Sequence, residues 1–371
     1  MLCKHFSECG SCVLSTPYDE QVLLKTKSIA DEFSDFFTGE IEVFKSEPVG
    51  YRTRAEFGLW HEGDSLSYTM HGVNGARVMI DECPKVDAKI FNLMPVLLEA
   101  IKSDNELKFK IFGVEFISTD NEIMAILLYH KKITHLSDKF KNLAKALNIK
   151  IVARSRGERL FAPESDDERL TQSLNIAGRQ YVYKFSEGAF IQPNTKVNEM
   201  MVSWALSCVK MGAKDMLELY CGHGNFTLPL STAFKNVLAT EISKSSIKSA
   251  AINTELNGIA NIKFIRMDAD ELISALRGDR EFRRLEQVDL SAYEFSHVLL
   301  DPPRAGLSQS VREFVKSYDN IIYISCNPAT LKRDLSVLCD TFYVGRFAFF
   351  DQFAHTHHAE CGVCLRKRNK Q

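Results

Sequence analysis

From Val197 onward the chain alternates short apolar runs with segments of helix length; the runs are Asp215 to Tyr220, Val237 to Thr240, Ile262 to Met267, His297 to Leu300 and Ile321 to Ser325. A strand that reads as an unbroken apolar run is buried on both faces, the condition of a parallel sheet covered by helices. The spacing therefore predicts a doubly wound α/β sheet, with a helix over Met200 to Val209 ahead of it and two late strands over Phe347 to Phe353 and Glu360 to Arg366. In such sheets ligands bind in the crevice at the carboxyl ends of the strands. The residues just after each run are the ones to read for chemistry.

The first run leads into Cys221-Gly222-His223-Gly224-Asn225-Phe226. Gly222 and Gly224 let the backbone approach a ligand closely. The third glycine of a dinucleotide fingerprint is replaced by Thr227, which argues against pyrophosphate and for a cofactor without phosphates, such as S-adenosylmethionine. The second run ends in Glu241, 17 residues beyond Gly224, where a carboxylate can accept hydrogen bonds from both ribose hydroxyls; a surface glutamate is the plain alternative. The fourth ends in Asp301-Pro302-Pro303-Arg304, where two prolines stiffen the turn and leave the carboxylate facing the crevice, to bind cofactor or meet a base edge; a structural turn is the alternative.

The fifth run stops at Cys326 and turns through Asn327-Pro328 into a helix. With proline in the first turn, the sulfur is expected beside unpaired backbone N–H groups at the positive end of a helix dipole, which favours the thiolate. The plain alternative is a small apolar residue capping a strand. Thr356-His357-His358-Ala359-Glu360-Cys361 then brings a carboxylate onto or just before a late strand, 34 residues after Cys326, with a surface acid as the alternative. The adjacent histidines diverge on an extended strand, so no shared metal ion is expected.

A methyl donor, a cysteine and a carboxylate suit one reaction. Uracil C5 is too poor a nucleophile to displace methyl from a sulfonium. A thiolate added at C6 makes an enolate whose charge reaches C5, and after methylation a base must remove the C5 proton before the thiolate can leave. Cys326 would attack and Glu360 would take the proton.

The first half of the chain has a different texture. Helices are predicted over Thr16 to Phe37, Lys89 to Ile101 and Asp138 to Leu147, and strands over Phe44 to Trp60, Ser65 to Met70, Arg77 to Ile80, Lys108 to Thr119, Ile123 to His130 and Ile151 to Ala153. Three divisions follow: an N-terminal cysteine motif and helix over 1–40, an α+β antiparallel RNA-binding domain over 41–185, and a Rossmann-like S-adenosylmethionine-dependent methyltransferase domain over 186–371. Basic pairs at Arg52/Arg54, Lys108/Lys110, Lys131/Lys132 and Arg154/Arg156 interleave with Tyr51, Phe57, Phe109, Phe112 and Tyr129. That mixture suits phosphates and stacked bases, and an ordinary half-buried sheet equally well.

A formal net charge of −2 gives no global pull on a polyanion, so any RNA must meet local basic patches. No apolar run reaches the roughly 18 residues of a membrane span. The start, Met1-Leu2-Cys3-Lys4-His5, has no apolar leader, and a cytoplasmic monomer is expected. The closing Arg366, Lys367, Arg368 and Lys370 read as a solvated tail. In such a setting ten cysteines point to metal, catalysis or buried thiols. Cys3, Cys9 and Cys12 are close enough in sequence to share one cluster or ion, and Cys83, before Pro84, is the candidate fourth ligand. This uneven all-cysteine set suits a [4Fe–4S] cluster better than zinc, whose fingers pair ligands as two close doublets; zinc and free thiols are the alternatives.

Leu217 to Phe226, Asp301 to Leu307, Ser325-Cys326-Asn327-Pro328 and Thr356 to Val363 together resemble the RNA uracil-5-methyltransferase family. The likeness is closest to its tRNA branch, through Tyr51 to Phe57, Leu127 to Lys132, Arg284-Leu285 ahead of Val288-Asp289-Leu290, and Phe350-Asp351-Gln352-Phe353. The resemblance implies that Cys326 is the nucleophile and Glu360 the base, and that Gln192, Tyr220, Asn225, Glu241 and Asp301 line the S-adenosylmethionine site. It also implies a uridine of the tRNA T-loop as substrate, drawn out of its stack and converted to ribothymidine. Cys3, Cys9, Cys12 and Cys83 look instead like the cluster ligands of ribosomal-RNA members. A ribosomal-RNA uridine is thus the alternative substrate, and an iron–sulfur RNA-binding factor without catalysis the alternative of another class.

Overall fold

The structure, a computed structural model, describes residues 3–164 and 167–368. Helix α1 (Tyr18–Glu32) buries Val22, Ile29 and, just past its end, Phe33, and the chain then adds a short strand, β1 (Glu42–Phe44). The helix stops short of the expected Phe37, with Phe33 donating its N–H to the Ile29 carbonyl as the cap.

Next comes a seven-stranded sheet of β2 (Arg54–Glu62), β3 (Ser65–His71), β4 (Arg77–Ile80), β5 (Ile111–Ser118), β6 (Ile123–Tyr129), β7 (Lys150–Ser155) and β8 (Glu158–Ala162). Its order is β4-β3-β2-β5-β6-β7-β8, antiparallel except for the β6–β7 pair. The helices α2 (Ala88–Lys102), α3 (Asn105–Lys108) and α4 (Ser137–Leu147) accompany it. Helix α2 starts where the Asp87 carboxylate accepts the Ile90 N–H, and Ile90, Leu93, Met94, Leu97 and Ile101 bury one face at helical spacing. Those residues and Phe140 of α4 pack on Phe57, Tyr68 and Phe116. On the opposite face Ile117, Met124, Ile126 and Val152 pack with Phe185, Ala189 and Ile191, which presses the approach to Gln192 onto the sheet.

A hairpin of β9 (Leu170–Ile176) and β10 (Arg179–Phe185) follows, packed through Leu174, Tyr181 and Tyr183 on α5 (Thr195–Ser207). The rest alternates as predicted: β11 (Asp215–Leu219), α6 (Thr227–Leu230), β12 (Val237–Glu241), α7 (Lys244–Leu256), β13 (Ile262–Arg266), α8 (Ala269–Leu276), β14 (Phe295–Leu300), α9 (Gln309–Val315), β15 (Asn320–Ser325), α10 (Pro328–Leu338), β16 (Phe342–Phe350) and β17 (Glu360–Lys367). The sheet order is β1-β16-β17-β15-β14-β11-β12-β13. The five strands from β13 to β15 are parallel, whereas β17 inserts antiparallel between β15 and β16. The chain reverses direction across the sheet between β11 and β14, and a crevice opens there.

Two sequence expectations change. Strand β1, inside the 41–185 stretch, pairs in parallel with β16 at the edge of the large sheet, because Phe44 stacks on Phe350 at 4.9 Å. Arg366 is not a tail residue: it lies in β17 and donates to Asn320 Oδ1 at 3.0 Å and to the Cys208 carbonyl. Lys370 lies outside the described residues. Cys208, at the end of α5, and Cys364 of β17 form a disulfide.

Candidate active site

The β15–β17 register brings the two candidate catalytic groups together. Ser325 pairs with Cys361, so the next step along the antiparallel pair sets Cys326 beside Glu360. Glu360 is buried, at 2% exposure. Asp301 follows β14, whose Leu300 pairs with Tyr323. Its loop is tied to the start of α10 by the Arg304 carbonyl, which accepts from Asn327 Nδ2 at 3.1 Å.

Charge in this cluster is held back. Burial and then the neighbouring Asp301 push the Glu360 carboxyl well above the usual range, and burial lifts Asp301 to about 7. Burial, then the Glu360 and Asp301 charges, push the Cys326 thiol up to about 11, against a smaller opposing pull from Arg304. The expectation of a thiolate in the free protein is therefore reversed. Cys326 lies ahead of the helix cap, and the Asn327 side chain already accepts the Ala329 N–H at 3.2 Å, so the dipole's positive end is spent on Asn327.

The loop after β11 shapes the crevice. Tyr220 takes a left-handed conformation, φ 66°, uncommon for a bulky side chain and typical of functional sites, and burial raises its hydroxyl to about 12. Gly224 has φ 93°, and a Cβ there would collide with Leu228, whereas one at Gly222 would meet open space. The glycine that faces the crevice is thus Gly222. Its N–H donates to Glu241 Oε2 at 3.1 Å, and Ser243 N donates to Oε1 at 2.7 Å, so the Glu241 carboxylate is fixed at the strand end with lone pairs left over.

Asn225 is locked by a reciprocal amide pair with Asn198 of α5, both bonds 2.9 Å. Gln192 is buried in the loop before α5, where the next carbonyl, of Pro193, accepts from Thr53 N at 2.8 Å. The seven-stranded sheet thereby holds the wall of the crevice.

Sequence reasoning missed three features. Glu218 in β11 is buried with Oε2 unpartnered, and burial raises its carboxyl to about 8. Asn198 carries no motif of its own; only its place three residues after Thr195, on the inner face of a helix, could have marked it. Beyond Glu241 a pocket of about 370 Å³ is lined by Ile242, Arg266, Met267, Asp268, Glu271 and Arg284. Its signal was available, since it sits at the carboxyl ends of β12 and β13.

Cys3, Cys9, Cys12 and Cys83 line one cavity with His5, Ser11, Lys85 and others, against the seven-stranded sheet through the Cys9–Gly72 bridge. Among the described residues, no three metal-ligating side chains stand close enough to hold a single ion.

A model of the tRNA (Uracil-5-)-methyltransferase family matches residues 17–368. The chain is 57% identical over 368 residues to the tRNA/tmRNA (uracil-C(5))-methyltransferase of Campylobacter curvus, covering 99% of this chain and 100% of that one. It is 44% identical over 376 residues to the protein of the same name from Sulfurimonas denitrificans, with the same coverage. Among solved structures it resembles the Pyrococcus abyssi tRNA (uracil-54, C5)-methyltransferase in complex with S-adenosyl-L-homocysteine, with a TM-score of 0.70 and 21% identity, over 94% of this chain and 83% of that one. That likeness bears on the fold and agrees with a Rossmann-like sheet. The match across nearly the whole length, together with a cysteine and a carboxylate on neighbouring strands, means that the chain belongs to the tRNA (uracil-5-)-methyltransferase family.

Proposed function

We propose that the protein methylates C5 of a uridine in the tRNA T-loop, using S-adenosylmethionine and a covalent bond from Cys326 to C6 of the base. The juxtaposition of Cys326 with Glu360 across the β15–β17 pair carries this reading. The cofactor's fit rests on the open space at Gly222, the fixed Glu241 carboxylate for the ribose, and the pocket from Ile242 to Arg284 for the adenine. Gln192, Tyr220, Asn225 and Asp301 complete the wall. When bound, the cofactor supplies an electrophilic methyl group on a cationic sulfur.

The remaining steps belong to the chain. Positive charge entering beside Asp301 and Glu360 favours their carboxylate forms, undoing the neutral state of the free site. Cys326 gives its proton to solvent water and its sulfur adds to C6; the C5–C6 electrons would then form the bond from C5 to methyl, with the S–CH3 pair left on the donor's sulfur, which departs as S-adenosylhomocysteine. The Glu360 carboxylate then accepts the C5 proton, the C–H electrons restore the double bond, and the C6–S electrons leave with Cys326 as thiolate.

The substrate surface we infer is the part of the seven-stranded sheet's second face that lies beyond the cover of Phe185, Ala189 and Ile191. There Arg77 lies 3.5 Å over the ring of the exposed Trp60, and Phe112 stacks on His130 at 3.9 Å and 13°. With Arg154 exposed on β7 alongside, this face offers π surfaces and cations together, as single-stranded RNA needs. Phe190, 72% exposed just before Gln192, is a further stacking surface near the crevice.

Cys3, Cys9 and Cys12, joined by Cys83 from the turn after β4, line one cavity, and an all-cysteine set is the donor chemistry of an iron–sulfur cluster. Burial pushes the Cys12 and Cys83 thiols up, against a smaller opposing pull from the buried Lys85 ammonium and, at Cys83, from the Lys85 and Val86 N–H groups. A cluster bound there would cross-link residues 3–12 to the sheet.

The test is to supply labelled methyl donor with unmodified tRNA or unmodified ribosomal RNA and map the product base. Label in a T-loop uridine supports the reading; label entering ribosomal RNA alone, or neither RNA, overturns it.

A further inference from the structure

The loop Asp351–Ala359, which carries the chain into Glu360, is buried apart from Phe353, His357 and His358. Glu360 is the first residue of β17, so its backbone is held by the ladder on one side and by this loop on the other. The centre of the loop is His355, 2% exposed and in the left-handed region at φ 64°, a conformation that persists only when its surroundings hold it.

Every polar atom of His355 is held. Its N–H donates to Gln21 Oε1 at 3.1 Å, and its carbonyl accepts from Val13 N at 2.9 Å and Leu14 N at 3.2 Å. Ring Nε2 lies 2.7 Å from the Pro48 carbonyl and Nδ1 lies 3.0 Å from Gln21 Nε2. A carbonyl only accepts, so Nε2 carries the proton and Nδ1 accepts from the Gln21 amide.

Val13 and Leu14 end the segment that bears the cysteines, and its other contacts are with the seven-stranded sheet and the turn after it. Gly10 N donates to the His71 carbonyl at 2.9 Å, Lys85 Nζ donates to Ser11 Oγ at 2.5 Å, and Lys4 and His5 meet Asp81 at 2.6 and 2.7 Å. Residues 3–14 therefore join the thiol cavity to the loop before the base. Cys326 is anchored elsewhere, through Asn327 and the Arg304 carbonyl.

We propose that residues 3–14 brace the base: closure of the segment on the sheet at the four-thiol cavity fixes it, His355 passes that position to Glu360 five residues on, and removal of the C5 proton depends on it while methyl transfer does not. This rests on the reading of Cys326 and Glu360 given above. His355 is a positioning residue, since it touches no reacting atom. The dependent step is transfer of the C5 proton to the Glu360 carboxylate, with restoration of the C5–C6 bond and departure of the Cys326 thiolate.

The experiment is a single turnover of the full-length protein on tRNA carrying tritium at uridine C5, with methyl-labelled S-adenosylmethionine. Methyl label in a detergent-stable protein–RNA adduct reads addition and methylation, and tritium in water reads proton removal. In His355→Ala and in Cys83→Ser, methyl label enters the adduct within about twofold of the wild-type rate, while tritium release falls by roughly tenfold or more, a part of what a general base contributes. His355→Gln, which offers an amide N–H toward Pro48, recovers part of the release. In the free Cys83→Ser protein, hydrogen exchange of Asp351–Ala359 quickens while the β14 and β15 amides hold. Equal loss of both labels, unchanged tritium release, or unchanged exchange in that loop overturns the brace alone. Glu360→Gln is the control: if it accumulates no methylated adduct, the reading of the reaction falls and the brace with it.

Discussion

Replacing Asp301 by asparagine removes a charge that the fold holds at a cost. Burial lifts this carboxyl from an ordinary 3.8 to about 7, so the folded chain binds the proton more tightly than the unfolded one. At more acid pH than 3.8 both states are protonated and the group costs nothing. As pH rises from 3.8 to about 7 the unfolded chain ionises first, and stability falls; beyond that both are ionised and the loss is complete. At about 1.4 kcal/mol for each tenfold difference in proton affinity, the full loss is about 4 kcal/mol. That figure is a ceiling, because Asp301 is half-buried rather than sealed from water. Asp301→Asn, nearly isosteric and uncharged, lacks the cost. Thermal melts of both proteins without cofactor or RNA, from about pH 4.5 to about pH 8.5, should converge on the acid side and diverge on the basic side. At the basic end the variant should melt several degrees higher, at about 2–4 °C per kcal/mol for a folding unit of this size. Parallel curves, or a variant that melts lower than wild type at the basic end, would refute the reasoning.

Cys326→Ala should abolish the covalent complex with 5-fluorouridine-containing tRNA while leaving cofactor affinity within about twofold in calorimetry, since the sulfur bonds to the base and not to the cofactor. Glu241→Ala removes the acceptor fixed by Gly222 and Ser243, and cofactor Kd should rise by roughly tenfold or more, the worth of charge-assisted hydrogen bonds. Phe112→Ala should weaken tRNA binding by about 1–3 kcal/mol in filter binding, the usual value of a base stacked on an aromatic ring. Arg154→Gln should instead shallow the salt dependence by about one counterion. Protein purified without oxygen should be brown and contain iron and sulfide, and Cys9→Ser should be colourless; a colourless wild type with stoichiometric zinc would count against the cluster.

The large sheet was legible because its information is local. The runs from Met216 to Leu219, apolar but for Glu218, and from Ile321 to Ile324 tolerate no exposed face, and these two strands end within a residue or two of the boundary read from sequence, whereas β16 starts five residues before and ends three before its expected bounds. The pairing of β15 with β17 was not legible, because register is a property of two segments and of the loop between them. Proximity of Cys326 to Glu360 could therefore be inferred from chemistry but not from spacing. The protonation of Cys326 was misread for a related reason: a helix start is visible in Asn327-Pro328, whereas two carboxylates folded against the same sulfur are not. Asn198 and His355 escaped notice because an amide or imidazole becomes informative only when its partners, here Asn225 and Gln21, come from distant parts of the chain.

The seven-stranded sheet is joined to the large sheet by two covalent passages, one leaving β1 toward β2 and one arriving at α5. Arg52 bridges on one side to Val86 and on the other to Asn194, so the two passages run side by side there. A third, non-covalent tie adds to them, because residues 3–14 reach from the His71 carbonyl on the sheet to the His355 carbonyl in the loop before Glu360. The two sheets are thereby coupled at more than the covalent passages, and a displacement of the seven-stranded sheet is felt at the loop that leads into Glu360.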